Sequence, residues 1–204
     1  GVRLMPVLVI LAHPNIGSFN HAIADTVVRT LKECGHEVIL HDLYREEFDP
    51  VLPGSEIPKN APVAAAVEEH CRQIMACSGM VIVHPNWWGQ PPSVLTGWID
   101  RVLRPGMAYE FDGDDSGEGV PRGLLAGKTA VVFNTSNTPE QREKDFFGDP
   151  LDLIWKKCVF EFWGVKTYLR RTFSVVVTSS PDLRKQWLDE VSSVVVKYFT
   201  PHRK

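Results

Sequence analysis

The chain has 204 residues, 44% of them hydrophobic and 23% charged, with a formal net charge of -3 and no low-complexity tract. This is the profile of one soluble globular domain over residues 1–204. Its charge gives no electrostatic reason to expect a nucleic acid partner, because the densest basic clusters are the pairs Lys156-Lys157 and Arg170-Arg171, which read as solvated faces.

The run from Leu4 to Ala12, followed by His13-Pro14 and a helical pattern, is a buried first strand rather than a signal sequence. Ile23, Val27 and Leu31 then repeat at helical spacing until Gly35. Residues 37–42 form a second strand, and Asp49 to Pro62 an irregular loop. Pro62 suits the first turn of a helix that turns Val63, Val67, Cys71 and Ile74 inward.

Residues 80–84 make a third strand, followed by a helix carrying Val94, Trp98 and Val102, with Pro91 and Pro92 at its entrance. Residues 129–134 make strand four, Leu151 to Phe162 a helix, residues 173–178 strand five and Leu183 to Tyr198 a terminal helix. Five near-continuous apolar strands alternating with helices imply an α/β fold with a parallel sheet covered on both faces. No apolar run approaches the ~20 residues needed to span a bilayer.

Cys34, Cys71, Cys77 and Cys158 show no C-x-x-C spacing, so reduced thiols in a cytoplasmic protein are expected. The seven histidines show no H-E-x-x-H or paired spacing, and no metal site is expected; His84 reads as a satisfied strand-end histidine. "EFDGDDSGE" (110–118) imitates a calcium loop, but in that alignment Gly123 stands where the bidentate glutamate belongs. "GDP" (148–150) with Asp152 reads as a loop and helix start.

In such a sheet the site lies beyond the carboxyl ends of the strands. Three segments leave those ends with unusual chemistry: "AHPNIGSFN", "HPNWWGQPP" and "NTSNTPEQ". The first opens a helix, whose free N–H groups and dipole favour an anion, and His13, Ser18 and Asn20 add polar groups; Ser18 or Asn20 as a plain N-cap is the alternative. Neither a P-loop nor a G-x-G-x-x-G pattern is present, which argues against a P-loop nucleotide enzyme and a dinucleotide-binding Rossmann domain. In the second segment Trp87 or Trp88 can wall a planar ring while the backbone from Asn86 to Gly89 meets its edge. A phosphate beside a flat polar heterocycle suggests flavin mononucleotide.

At these residues the chain resembles the flavodoxin-like NAD(P)H:quinone oxidoreductases, the family of the DT-diaphorases and of the ancillary oxidoreductases of bacterial potassium efflux systems. The matching stretches are "VLVILAHPNIGSFNHAI" (7–23), "HDLYREEFDP" (41–50), "HPNWWGQPPSVLTGWIDRVLRPGMAYEF" (84–111) and "LLAGKTAVVFNTSNT" (124–138). The resemblance implies a flavodoxin-like three-layer sandwich with strand order 2-1-3-4-5. It also implies a flavin, FMN or alternatively FAD, with NAD(P)H as co-substrate and a quinone-like acceptor reduced in the same pocket.

By the same resemblance His13, Ser18, Phe19 and Asn20 would hold the phosphate region. Pro85, Asn86, Trp87, Trp88 and Gly89 would flank the ring, and Thr135, Ser136, Asn137 and Thr138 would close its other edge. A homodimer is implied, with "DFFGD" and "FEFWG" as candidate contacts. Two departures stand out. "TSNT" replaces the family's Thr-Thr-Gly-Gly loop, so that Asn137 would alter access to the ring, and Phe147 occupies the position of the family's proton-handling histidine. No catalytic side chain is therefore assigned. A flavodoxin-type electron carrier and a regulatory subunit of a transport system are the rival readings.

Overall fold

The computed structural model describes residues 5–111 and 119–200. Its centre is a five-stranded parallel sheet in the order β2-β1-β3-β6-β7. The strands are β1 (Val7–Leu11), β2 (Val38–Asp42), β3 (Gly79–Pro85), β6 (Thr129–Ser136) and β7 (Thr167–Ser174). In β1, Leu8 and Ile10 face one layer while Val7, Val9 and Leu11 face the other, and all five are buried. Successive strand side chains point to opposite faces, so this run requires helices on both sides. Full burial of one such aliphatic side chain stabilises by about 1.5–3 kcal/mol.

α1 (Phe19–Glu33) and α6 (Pro181–Phe199) cover one face. The other is covered by α2 (Ala65–Ala76), α3 (Ser93–Val102) and the segment from α5 (Pro150–Leu153) into a π-helical stretch (Ile154–Glu161). α4 (Glu140–Phe147) buries none of its residues. Among the described residues no helix is long and apolar enough to cross a membrane, and Cys34, Cys71, Cys77 and Cys158 are all free.

Several boundaries differ from those expected. α2 starts at Ala65, because Pro62 lies in the preceding loop. Strand five runs over Thr167–Ser174 instead of 173–178. β7 is an edge strand with mostly half-buried residues, so it lacks the continuous apolar run that marks the inner strands. For the same reason Arg170-Arg171 is not a solvated face: both lie within β7, where Arg170 pairs with Asp149 and Arg171 with Glu190. A short antiparallel pair, β4 (Tyr109–Phe111) and β5 (Pro121–Gly123), was not anticipated. Most of the calcium-loop imitation, 112–118, lies outside the described residues.

Away from the sheet tips in sequence, His41, Glu46 and His70 lie within ligand distance of one another. Every imidazole nitrogen there is already engaged. His41 Nδ1 meets Glu46 Oε1 at 2.9 Å and its Nε2 meets Gln73 Oε1 at 2.5 Å, while Trp98 Nε1–H donates to His70 Nδ1 at 2.8 Å. That last bond uses the lone pair of His70, so a neutral ring carries its proton on Nε2, facing Glu46 at 3.5 Å. The geometry is that of a hydrogen-bonded cluster joining β2, the loop after it and α2.

Candidate functional site

The strand order reverses direction at β1, and a cavity of about 370 Å³ opens at the carboxyl ends of β1, β3 and β6. His13, Ser18, Phe19 and Asn20 line it from the first loop, and Pro85, Asn86 and Trp87 from the third strand's end. Thr135, Ser136, Asn137 and Thr138 line it from the end of β6, and Val176 and Val177, which the sequence reading missed, close it from the loop after β7. Trp88 and Gly89 do not reach this cavity. They line an adjoining apolar cavity of about 430 Å³ with Asn86, Thr138, Glu143, Phe147 and Pro150.

The two tryptophans separate because residues 87–90 form a tight turn. Trp87 N–H donates to Gln90 O at 3.2 Å, Gln90 N–H returns to Trp87 O at 3.1 Å, and the central Trp88 and Gly89 have φ of 58° and 71°. Positive φ at both central positions is the requirement of a type I′ turn, which glycine meets without strain and tryptophan does not. Gly89 is also needed for space, since a Cβ there would stand 2.6 Å from Pro150 Cγ. The turn aims Trp87 inward, 5.8 Å from the His13 ring, and leaves Trp88 97% exposed.

At the other end, α1 begins at the N-cap Ser18, whose side chain accepts from His21 N–H. Ser18 N–H is taken by Asn15 O at 3.0 Å, whereas the N–H groups of Phe19 and Asn20 have no partner among the described residues. Those are the open donors of a helix start, directed where the macrodipole is positive. Asn20 is tied to Thr135 Oγ1 at 2.9 Å, which locks the first loop to the end of β6. Burial lowers the His13 pKa below the ordinary histidine value, so at neutral pH His13 offers a neutral ring and not the positive charge its sequence position allowed. Asn137 lines the cavity, and its Oδ1 accepts from Val177 N–H at 2.9 Å, joining the loops after β6 and β7.

A buried polar chain joins the ends of β3 and β6 to the helix that carries Trp155. His84 Nδ1–H donates to Pro85 O at 2.8 Å, and Nε2 accepts from Asn134 Nδ2 at 2.8 Å and from Trp155 Nε1 at 3.0 Å. With burial and no carboxylate partner its pKa falls to about 4, as suits a satisfied strand-end histidine. Asn134 Oδ1 in turn accepts from Arg170 at 3.3 Å, and Arg170 pairs with Asp149. Asp149, Arg170 and Glu143 line a polar cavity of about 320 Å³ beside the first. Phe147, at the position where the family's histidine stands, contributes only an apolar edge to the 430 Å³ cavity.

Residues 5–174 match the family model for the flavodoxin-like fold. The chain belongs to this family. This flavodoxin-like protein is 34% identical over 186 residues to an uncharacterized NAD(P)H oxidoreductase of Haemophilus influenzae, covering 89% of this chain and 90% of that one. It is 26% identical to NAD(P)H dehydrogenase [quinone] 1 of Cavia porcellus, covering 95% and 80%. Among solved structures, an FMN-dependent NADH-azoreductase of Bacillus anthracis in complex with FMN shares the fold, with a TM-score of 0.78, 17% identity and coverage of 95% and 99%.

Proposed function

We propose that this protein is a flavin-dependent NAD(P)H oxidoreductase that passes two electrons from NAD(P)H through FMN to a quinone or similar flat acceptor. The observation that carries the reading is one cavity, at the switch point of a parallel sheet, lined both by the open N–H donors of the α1 start and by the Trp87 indole. The relatives named for NAD(P)H oxidoreduction and quinone reduction span most of their length with this chain, and the azoreductase of the same fold holds FMN.

The donor set fits a flavin phosphate and ring. The Phe19 and Asn20 N–H groups with Ser18 would hold the phosphate, while Asn86 and residues 136–138 would meet the polar ring edges, against a wall formed by Trp87. Bound there, FMN supplies the hydride and two-electron chemistry that no side chain of the site provides. The protein's part is to hold the reacting faces together, to keep water from them, and to offer an apolar shelf of Trp88, Phe147 and Pro150 beside the ring space.

Among the described residues the cavity is lined by one helix start, that of α1, which favours FMN over FAD. Exposed Trp88, Phe147 and Val177, which line the two cavities, support a homodimer that covers the shelf, and the four free thiols support a cytoplasmic setting.

The test is spectroscopic. Protein freed of excess FMN should retain absorption bands near about 370 and about 450 nm that bleach on anaerobic addition of NADPH or NADH. Loss of all flavin on desalting, at micromolar protein, overturns the reading.

A further inference from the structure

Behind the phosphate end of the cavity, three side chains form a continuous hydrogen-bonded line. Ser18 Oγ lies 2.9 Å from His21 Nδ1, and His21 Nε2 lies 3.2 Å from Asp42 Oδ2. The second oxygen of Asp42 accepts from Arg45 N–H at 3.2 Å. Of the three, only Ser18 lies at a position marked by sequence pattern; His21 and Asp42, from α1 and the end of β2, join it only in the fold.

The direction of each bond follows from what each group can donate. A carboxylate only accepts, so His21 Nε2 carries a proton toward Asp42. In the neutral ring Nδ1 then holds a lone pair, and the Ser18 hydroxyl must donate to it. Ser18 Oγ already accepts from His21 N–H at 3.4 Å, so with its hydrogen turned to His21 it presents only lone-pair density to the cavity. That arrangement repels a phosphate oxygen. When Nδ1 is also protonated, the ring donates to Ser18 Oγ, the serine O–H is released toward the cavity, and an imidazolium sits at the positive end of α1 with Asp42 as counter-ion.

We propose that His21 and Asp42 are positioning residues that couple binding of the flavin phosphate to uptake of one proton at His21 Nδ1. The inference rests on the flavin reading above. The proton comes from solvent and stays on the imidazole; the serine hydrogen changes partner from His21 to the phosphate. Among the described residues His13, from the end of β1, faces His21 with ring centroids 6.3 Å apart, and the exposed Asp25 stands one turn further along α1. His13 is kept from charging by its own burial and by His21, so it does not compete for that proton.

Calorimetric titration of the protein with FMN at pH 8, in two buffers of different ionisation enthalpy, counts the protons taken up. At that pH the free phosphate monoester is already dianionic, its second pKa being about 6. The expected result is an uptake of roughly 0.3 to 1 proton per FMN, with Kd weakening by at most about tenfold per pH unit above neutrality. His21→Gln should still bind FMN, with no uptake at pH 8 and a Kd flat between pH 7 and 8, where the phosphate is already dianionic. Zero uptake in the unmodified protein, or equal uptake in His21→Gln, overturns the coupling. If His21→Gln does not fold, the imidazole nitrogen shifts of His21 at pH 8 decide: two protonated nitrogens in the FMN complex support it, and a neutral ring overturns it. Absence of FMN binding at every pH instead overturns the flavin reading, and this inference with it.

Discussion

Two buried histidines stand at the carboxyl ends of β2 and β3, on either side of β1, and their partners drive them in opposite directions. His84 is fully buried among a backbone carbonyl, an amide and an indole, and its pKa falls to about 4. His41 is opposed by the same kind of burial, yet the Glu46 carboxylate and the Gln73 carbonyl hold its pKa above the ordinary value. Gln73 is oriented by its own bond to Glu69 at 2.6 Å, so its oxygen must face His41 and both ring nitrogens meet acceptors. Burial alone therefore does not set the charge of a strand-end histidine here; the partner does. The consequence is a neutral imidazole at the end of β3, next to the cavity-lining Pro85, and a charged imidazole at the end of β2.

The contrast is broken most severely by His84→Leu. It leaves two buried donors, the Asn134 amide and the Trp155 indole, without an acceptor, and should cost about 3–5 kcal/mol in urea unfolding. A cost below about 1 kcal/mol would mean that the chain from Trp155 to Arg170 is not structural. Next comes pH. As pH falls from 6.5 toward about 4, the unfolded His84 takes a proton that the folded one refuses, so stability should drop by on the order of 3 kcal/mol over that window. Denaturation at pH 7 and pH 4.5 measures it, and His84→Gln should flatten the slope.

Glu46→Gln sharpens the other side of the comparison with a smaller effect, about 1 kcal/mol, because the carboxylate is partly exposed to solvent. The Glu46 pKa is held at about 2 and that of His41 is raised. The difference between parent and variant should thus be largest between pH 4.5 and 6.5. It should fade as acid protonates Glu46 and as alkali deprotonates His41; a difference independent of pH would refute the ion pair. The smallest stability change is expected for Trp88→Ala, within about 0.5 kcal/mol, because the indole is 97% exposed. In steady-state assays the same variant should raise KM for a quinone roughly fivefold if the indole is part of the acceptor shelf.

How much was legible in the chain follows the physics of each element. β1, β3 and β6 are buried on both faces, so their continuous apolar runs announced both their place and their parallel order. β7 pairs on one side only and carries Arg170 and Arg171 among half-buried neighbours, so its true start at Thr167 left no apolar run to read. In the candidate site, eleven of the thirteen expected residues line one cavity, since each lies in a segment that ends a strand and faces the same end of the sheet. Trp88 and Gly89 fell outside it because a tight turn, set by backbone dihedrals, directs them to the neighbouring cavity.

The amino-acid sequence by itself determined the alternation of strands and helices, the two covered faces of the sheet and the three loops that leave its tips, because burial periodicity and helix starts are local properties, whereas the strand order was implied only by the family resemblance. Only the tertiary structure decided which indole faces the ring space, which histidines are neutral, and that Ser18 is backed by His21 and Asp42. The first is set by the backbone dihedrals of the turn at residues 87–90; the others depend on groups 21 to 71 residues apart in sequence meeting at hydrogen-bond distance, which no local pattern records.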